Sequence, residues 1–357
     1  MISDPEGLAD LIAKLTPLSR IALDTEADSL HSYFEKLCLI QISTQHENLL
    51  VDPLAGFSLQ PLYEVLARKR LVLHGADYDL RMLHRAGQFA PMDIFDTMIA
   101  ARLCGYQELG LAALVARHFG VKLSKASQKA NWALRPLSSQ MIEYAVNDTK
   151  YLLPLAEILE AELLRLNRWE WFSESCDRMI ASAGEPRGRD EGKAWRIPGT
   201  AALSPRAQSV LRVLWHWRDV EARSWDRPPF HVMSNDDIVR IAEKAVDGKA
   251  FSTPRMSSRR RKSFEIILAL ALHIPEGEWP TPSRSTRRRP SREQTERFER
   301  LKTARDKIAA DLGLDSSIVA PRGALEAASV GADTPLLMRW QRKLLELETS
   351  GRSVHAS

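Results

Sequence analysis

Cysteine is scarce in this chain of 357 residues. Cys38, Cys104 and Cys176 stand far apart, with no CxxC pair among them. That excludes a cysteine-framed zinc site and a disulfide scaffold, and it suits a reducing cytoplasm. Long hydrophobic runs are missing too. The longest, around residues 264–274, falls well short of the roughly 20 residues a bilayer span needs, so no membrane role is expected. The first ten residues, MISDPEGLAD, are acidic and carry no apolar stretch, which is not the pattern of a secretory signal. What is present is globular: 44% hydrophobic and 27% charged residues argue against wholesale disorder. At about 100–200 residues per domain, the length implies two or three domains, with enough chain to bury a core unaided.

The net charge of +4 conceals an asymmetry. Residues 1–170 hold 17 Lys and Arg against 21 Asp and Glu, whereas residues 171–357 hold 33 against 25. An acidic front half suits cations and a basic back half suits a polyanion, although uneven surface charge alone would give the same totals.

The front half reads as strands and then alternating helices. Short apolar runs at residues 20–24, 37–43 (LCLIQIS), 48–51 and 71–74 read as strands. Helical patterns fall at 59–68, 79–86, 96–103, 109–119 and 139–166, so a mixed α/β domain is expected over residues 1–170. Residues 181–202, rich in Gly, Pro and charge, read as a linker. A small helical bundle is expected over 203–274, a basic Pro-rich linker over 275–291 and a final helical unit over 292–350.

Carboxylates carry the chemistry. Asp24 and Glu26 close the first strand, and a period of two points both to one face. Two carboxylates above one sheet face repel unless a cation or protons intervene. Alone, the pair also fits a solvated strand end. Asp79 follows the strand at 71–74 through a short loop, where it would also suit a helix start, and Asp77 rivals it there. Asp148 lies on a helical face shared with Met141, Tyr144, Ala145, Leu152, Leu155 and Leu159. A carboxylate on so apolar a face needs a partner, either a cation or an arginine. Four acids meeting at one sheet edge would hold two divalent metal ions, and hard oxygen ligands suit Mg²⁺ or Mn²⁺. Two such ions about 4 Å apart can activate water and stabilise the leaving oxygen of a phosphodiester.

Other residues have plainer readings beside functional ones. His74 at a strand end fits packing, and Asp96 fits a helix cap. Trp132 and Arg135 could touch nucleic acid or simply build a turn. Trp215, Trp217 and Trp225 are spaced as bundle core rather than stacking platforms. The basic runs Arg255, Arg259, Arg260, Arg261 and Lys262, then Arg284, Arg287, Arg288 and Arg289, are dense enough for phosphate contact, or else they solubilise linkers.

In combination these segments are specific. DTEAD with KLCLIQIS, LVLHGADYDLRML, FDTMIAARL and NWALRPLSSQMIEYAVNDTKYLLPL resemble the exonuclease domain of the ribonuclease D family, the tyrosine-bearing branch of the DEDD 3′→5′ exonucleases, over residues 1–170. Residues 210–243 resemble the helical HRDC domain, and residues 292–348, more weakly, a second degenerate HRDC copy.

The resemblance implies a ribonuclease-H-like domain, a mixed five-stranded sheet flanked by helices, followed by one or two all-α HRDC bundles. It implies that Asp24, Glu26, Asp79 and Asp148 bind metal and that the Tyr144 hydroxyl orients the attacking water. Leu80 fits the family pattern and favours Asp79 over Asp77. The implied activity is a cytoplasmic, monomeric 3′→5′ exoribonuclease that trims tRNA precursors and other small structured RNAs and releases 5′-mononucleotides. Ala27 stands where many members carry a bulky aromatic against the terminal base, and Tyr33 or Phe34 could substitute for it. Asn131 stands where an Asp is often found. The rival readings are a 3′→5′ DNA exonuclease and an RNA-binding scaffold without catalysis. The HRDC-like units and the absence of helicase or polymerase motifs favour RNA, and the intact acids argue against the scaffold.

Overall fold

The computed structural model describes residues 1–185, 190, 192–281, 290–331 and 336–347. The chain divides into two compact units. One comprises Met1–Glu26, Leu37–Glu185 and Arg287–Ser357, and the other Ala27–Lys36 and Pro186–Thr286.

The first unit is built on five strands in the order β3-β2-β1-β4-β5: β1 (Arg20–Ala27), β2 (Leu37–Ser43), β3 (Asn48–Val51), β4 (Arg70–Leu73) and β5 (Asp93–Asp96). β2 and β3 run antiparallel, with Ile40 opposite Val51, while β4 runs parallel to both β1 and β5. The sheet is therefore mixed, as the resemblance implied. β1 lies at its centre, and Ile21, Ala22 and Leu23 are wholly buried there. β2 is buried along its whole length, which is why LCLIQIS reads as a continuous apolar run rather than an alternation. β5 has no such signal. It is four residues long with an acid at each end, so it goes unread in the sequence.

Helices α1 (Pro5–Leu15), α2 (Gln60–Leu66), α3 (Asp77–Gly87), α4 (Thr97–Leu103), α5 (Leu111–Phe119), α6 (Ser139–Lys150), α7 (Leu152–Arg165) and α8 (Trp169–Ala183) complete the α/β part. α6 packs on β2 and β3, α7 on β4 and α8 on β5. The single helix expected over 139–166 breaks at Tyr151. Pro154 explains the break, because it has no N–H for the Lys150 carbonyl and its ring crowds that carbonyl. α8 also carries the unit past residue 170, the expected boundary, and its Phe172 packs on Phe95 of β5 at 4.6 Å.

The second unit is a helical bundle of α9 (Pro205–Trp225), α10 (Pro229–Val232), α11 (Asn235–Val246) and α12 (Ser258–Leu272). Leu211, Leu214, Trp215, Trp217, Ile238, Ile241 and Phe264 form its core. Part of the stretch expected to be a linker belongs to this core. Trp195 is 3% exposed and packs with the bundle, residues 181–183 close α8, and residues 186–189 and 191 of the expected linker lie outside the described residues.

The last helices, α13 (Arg292–Leu312), α14 (Ser316–Val319), α15 (Arg322–Ser329) and α16 (Arg339–Leu344), have a small core of their own around Val319, Ala324 and Leu325. They nevertheless fall in one compact unit with the sheet. The buried Arg168 donates to the Leu103 carbonyl of α4 and to the Leu312 carbonyl of α13, both at 2.6 Å. Trp171 stacks on Trp340 with centroids 4.8 Å apart. Glu174 accepts the Arg339 and Trp340 amides that open α16. Gly105, at φ +89°, lies so close to Gly313 that a Cβ would sit 2.8 Å from its carbonyl oxygen.

These contacts predict that the C-terminal helices stabilise the sheet-containing unit itself. Trp340→Ala should cost on the order of 3–5 kcal/mol, the usual scale for a buried Trp. The urea midpoint of that unit, followed on a full-length chain, measures it. An unchanged midpoint would show that the C-terminal helices ride on the sheet without supporting it.

Candidate active site

β1 ends in Asp24, Thr25 and Glu26, and one carboxylate oxygen from each of Asp24, Glu26 and Asp148 lies within 4.8 Å of the others. Among the described residues this is the one group of three or more acidic, His or Cys side chains close enough to share a metal ion. Asp79 is buried in the first turn of α3 and reaches the cluster through Thr25. Its Oδ1 accepts from the Thr25 amide at 3.1 Å and from the Thr25 hydroxyl at 2.6 Å. Asp77, the rival in that loop, pairs instead with Arg81. Gln41 of β2 donates to Asp24 at 3.3 Å, and Tyr144, one turn before Asp148 on α6, hydrogen-bonds it.

The local geometry has identifiable causes. Ser138 caps α6 by accepting the Met141 amide, which starts the helix at Ser139, five residues before Tyr144. Asp96 closes β5 and accepts four backbone N–H groups: Met98 and Ile99 at the start of α4, and Gly75 and Ala76 in the loop before α3. It thereby fixes the loop that presents Asp79. Gly75, at φ +71°, makes that turn. His74 bonds Thr97 through Nδ1 at 2.9 Å, consistent with its packing role.

Burial and crowding set the protonation of the cluster. Burial is the main cause for Asp24, whose pKa is raised well above the usual carboxylate value, with the charges of Asp79, Asp148 and Glu26 adding to it. Burial pushes Glu26 up to about 9, aided by Asp148 and Asp79. Burial also raises Asp148 to about 7, against the Tyr144 hydrogen bond that lowers it. Asp79 rises only to about 6, because both Thr25 donors favour its charged form. Tyr144 is pushed far above its ordinary value by burial and by Asp148, so it remains a phenol. A group of half-buried and buried carboxylates that holds protons in this way fits divalent cations, which would replace those protons as counter-charge.

Several other candidates turn out to be scaffold. Arg135 grips Asp52 with two bonds of 2.7 and 2.6 Å and also reaches the Cys38 carbonyl of β2. Trp132 is 1% exposed and backs the Tyr144 ring at 6.0 Å. Asn131 accepts the Ala133 amide in a local turn. Trp215 and Trp217 are bundle core, whereas Trp225 is exposed. Tyr33 packs against the bundle with its hydroxyl on Asp219 at 3.0 Å, while Phe34 beside it is exposed. Arg259 and Arg260 both pair with the buried Glu221, and Arg261 and Lys262 are exposed. Arg284, Arg287, Arg288 and Arg289 lie outside the described residues. Sequence reasoning missed Thr25 and Gln41. The available signal for Thr25 was a small hydroxyl residue between two acids on a central strand.

Two outcomes follow from this geometry. Without metal, the folded state keeps protons on carboxyls that the unfolded chain releases near pH 4. The stability they give is complete below that pH and is lost as pH rises through about 6, 7 and 9. Melting temperature in EDTA should therefore fall across this window, and Mn²⁺ should flatten the fall. Parallel profiles with and without Mn²⁺ would refute the metal assignment. Thr25→Val removes one donor to Asp79 with little change of shape. It should weaken Mn²⁺ binding by about 10–100-fold, the scale for partners that orient a ligand, as read by titration calorimetry. Unchanged affinity would make Thr25 a packing residue only.

Comparison with known proteins agrees with this geometry. A family model described as 3′→5′ exonuclease matches residues 1–164, and an HRDC domain model matches residues 207–251. Ribonuclease D of Xanthomonas oryzae pv. oryzae is 29% identical over 358 aligned positions, which cover 97% of this chain and 96% of that protein. Ribonuclease D of Sphingobium indicum is 29% identical over 298 positions, covering 81% and 76%. The crystal structure of Escherichia coli RNase D superposes with a TM-score of 0.72 at 24% identity, covering 97% of this chain and 96% of that one, and so shares the fold. With an exonuclease domain that gathers a carboxylate cluster and an HRDC domain after it in the sequence, the chain belongs to the ribonuclease D family.

Proposed function

We propose that this protein is a two-metal 3′→5′ exoribonuclease that removes nucleotides singly from the 3′ ends of tRNA precursors and other small structured RNAs, releasing 5′-mononucleotides. The observation that carries the reading is the gathering of Asp24, Glu26 and Asp148 within 4.8 Å of one another. Asp79 and Tyr144 are each tied to that group by hydrogen bonds. The ribonuclease D relatives support the choice of RNA, and Escherichia coli RNase D, which shares the fold, is an exoribonuclease involved in structured RNA processing. No helix among the described residues is long and apolar enough to cross a membrane.

Asp24, Glu26, Asp79 and Asp148 would hold the ions, Mg²⁺ or Mn²⁺, and these would supply Lewis-acid stabilisation of charge at the scissile phosphate. The residues themselves do the positioning. Tyr144 stays protonated and donates to Asp148, which leaves its oxygen lone pairs to accept a proton of the attacking water. The phenol thus aims the water without deprotonating it. The water oxygen bonds to phosphorus as one of its protons passes to solvent, the bond to the 3′ oxygen of the preceding nucleotide breaks, and that oxygen takes up a proton from solvent. Thr25 keeps Asp79 ionised and in place.

Tyr144→Phe keeps the ring against Trp132 and removes only the hydroxyl. The turnover rate on single-stranded RNA should fall on the order of 10²–10⁴-fold with Mn²⁺ and RNA affinity little changed. Chromatography of products from matched RNA and DNA strands, labelled at the 5′ end, completes the test. A shortening ladder and 5′-mononucleotides from RNA support the reading. Preferential digestion of DNA, or a full rate in Tyr144→Phe, would overturn it.

A further inference from the structure

α6 carries Tyr144 and Asp148, yet little packing tells it where to sit. Of its 12 residues only Ala145 and Thr149 are buried. They lie one turn apart on one stripe of the helix, which packs on β2 and β3. Ala145 is small and apolar, and an apolar contact has no direction, so it resists turning or sliding of the helix only weakly.

Thr149 supplies the direction. Its hydroxyl meets that of Ser43, on β2, at 2.6 Å, and both side chains are 1% exposed. Ser43 donates its one proton to Asn48 Oδ1 at 2.7 Å, so the proton between the two hydroxyls is that of Thr149. Asn48 is the cross-strand partner of Ser43 on β3. The chain from Thr149 through Ser43 to Asn48 thus ties α6 to two strands. A helix threonine commonly turns its hydroxyl to the carbonyl four residues back, but this one reaches the sheet. A bond this short between buried groups holds only over a narrow range of helix rotation and slide.

The neighbours of Thr149 give this seat its importance. Asp148 precedes it and is turned about 100° from it around the helix. With Thr149 on β2, that turn carries Asp148 toward Asp24 and Glu26 of β1, the adjoining strand. Tyr144, one turn before Asp148, follows the same rotation. β2 also holds the other side of the cluster. Gln41 is two residues before Ser43 and so on the same face, and it donates to Asp24 at 3.3 Å. One strand face therefore touches both elements that must converge.

We infer that Ser43 and Thr149 are positioning residues for the reaction, their hydrogen bond setting how α6 is seated on β2 and hence where Tyr144 and Asp148 stand over Asp24 and Glu26. The roles given to Tyr144 and the acids rest on the exoribonuclease reading.

The test uses the full chain. Thr149→Val keeps the branched shape and deletes the hydroxyl. Its Mn²⁺ affinity, by titration calorimetry without RNA, should fall about tenfold, the low end for groups that hold a ligand in place. With saturating Mn²⁺, kcat on single-stranded RNA should fall about 10–100-fold, the scale for a reacting group displaced by about an ångström, with KM little changed. Thr149→Ser restores the hydroxyl and should return both quantities close to the parent values. Ser43→Ala removes the other partner and should repeat the losses, and Thr149 can then turn to the Ala145 carbonyl, so the chain still folds. The double variant should lose no more than the worse single one, since the same bond is gone in each. Added to Tyr144→Phe, Thr149→Val should lower kcat far less than in the parent, because the hydroxyl it helps to aim is already absent. A general loss of structure would instead multiply through.

Melting temperatures in EDTA check folding, and if Thr149→Val is unfolded, Ser43→Ala decides on the same readouts. Parent-like Mn²⁺ affinity and kcat in a folded Thr149→Val, or Thr149→Ser as impaired as Thr149→Val, would overturn the seat. Hydrolysis of RNA by the parent chain is scored separately. Hydroxyl-dependent Mn²⁺ affinity in a parent that cuts no RNA would keep the seat and sink the exoribonuclease reading, and RNA cutting that ignores both hydroxyls would do the reverse.

Discussion

Four carboxylates set near one another at the end of a buried strand repel each other, and the architecture of the first unit can be understood as the means of keeping them there. Burial disfavours their charge and proximity disfavours it further. Among the described residues no arginine figures in setting their charge. Arg135, close by in sequence to Tyr144, is committed to Asp52 and the β2 backbone. Relief comes instead from neutral donors: two from Thr25 to Asp79, one from Gln41 to Asp24 and one from Tyr144 to Asp148. Neutral donors orient lone pairs without competing for the charge, so the cluster retains its appetite for cations.

The supporting parts are spread over the fold. β1 contributes two acids and the threonine between them. The loop after β4 contributes Asp79, but Asp96, from the end of β5, holds that loop by its amides. α6 contributes Tyr144 and Asp148, and Trp132 backs the tyrosine ring. A parallel β1–β4–β5 arrangement puts Asp24, the loop after β4 and Asp96 at the same end of the sheet, which is why residues far apart in sequence converge.

The acids were legible in the sequence because each sits at a recognisable place: a strand end, the mouth of a strand, an apolar helical stripe. Tyr144 was legible only beside Asp148, by helical spacing and family resemblance. The short strand β5 was not legible, since four residues with terminal acids carry no periodicity. Nor was the break at Tyr151, because the apolar stripe continues across it and only Pro154 marks it. The arginine runs were read as one kind of object, yet Arg259 and Arg260 are largely engaged by Glu221. A charge run in sequence does not reveal a buried acid on another helix. The same limit applies to Tyr33 and Phe34, adjacent residues of which one faces the bundle and the other faces solvent.

Arg168 has a consequence for the order in which the protein is made. Its guanidinium is buried between two carbonyls, and one of them, that of Leu312, lies 144 residues further along the chain. While a ribosome is still short of that point, the cation has a single carbonyl and the far side of α8 faces water. A nascent or prematurely terminated chain therefore already contains every acid of the cluster but lacks the clamp that finishes the unit around them. The helices that close the first unit thus come from the segment that follows the bundle, so the two units are interleaved along the chain.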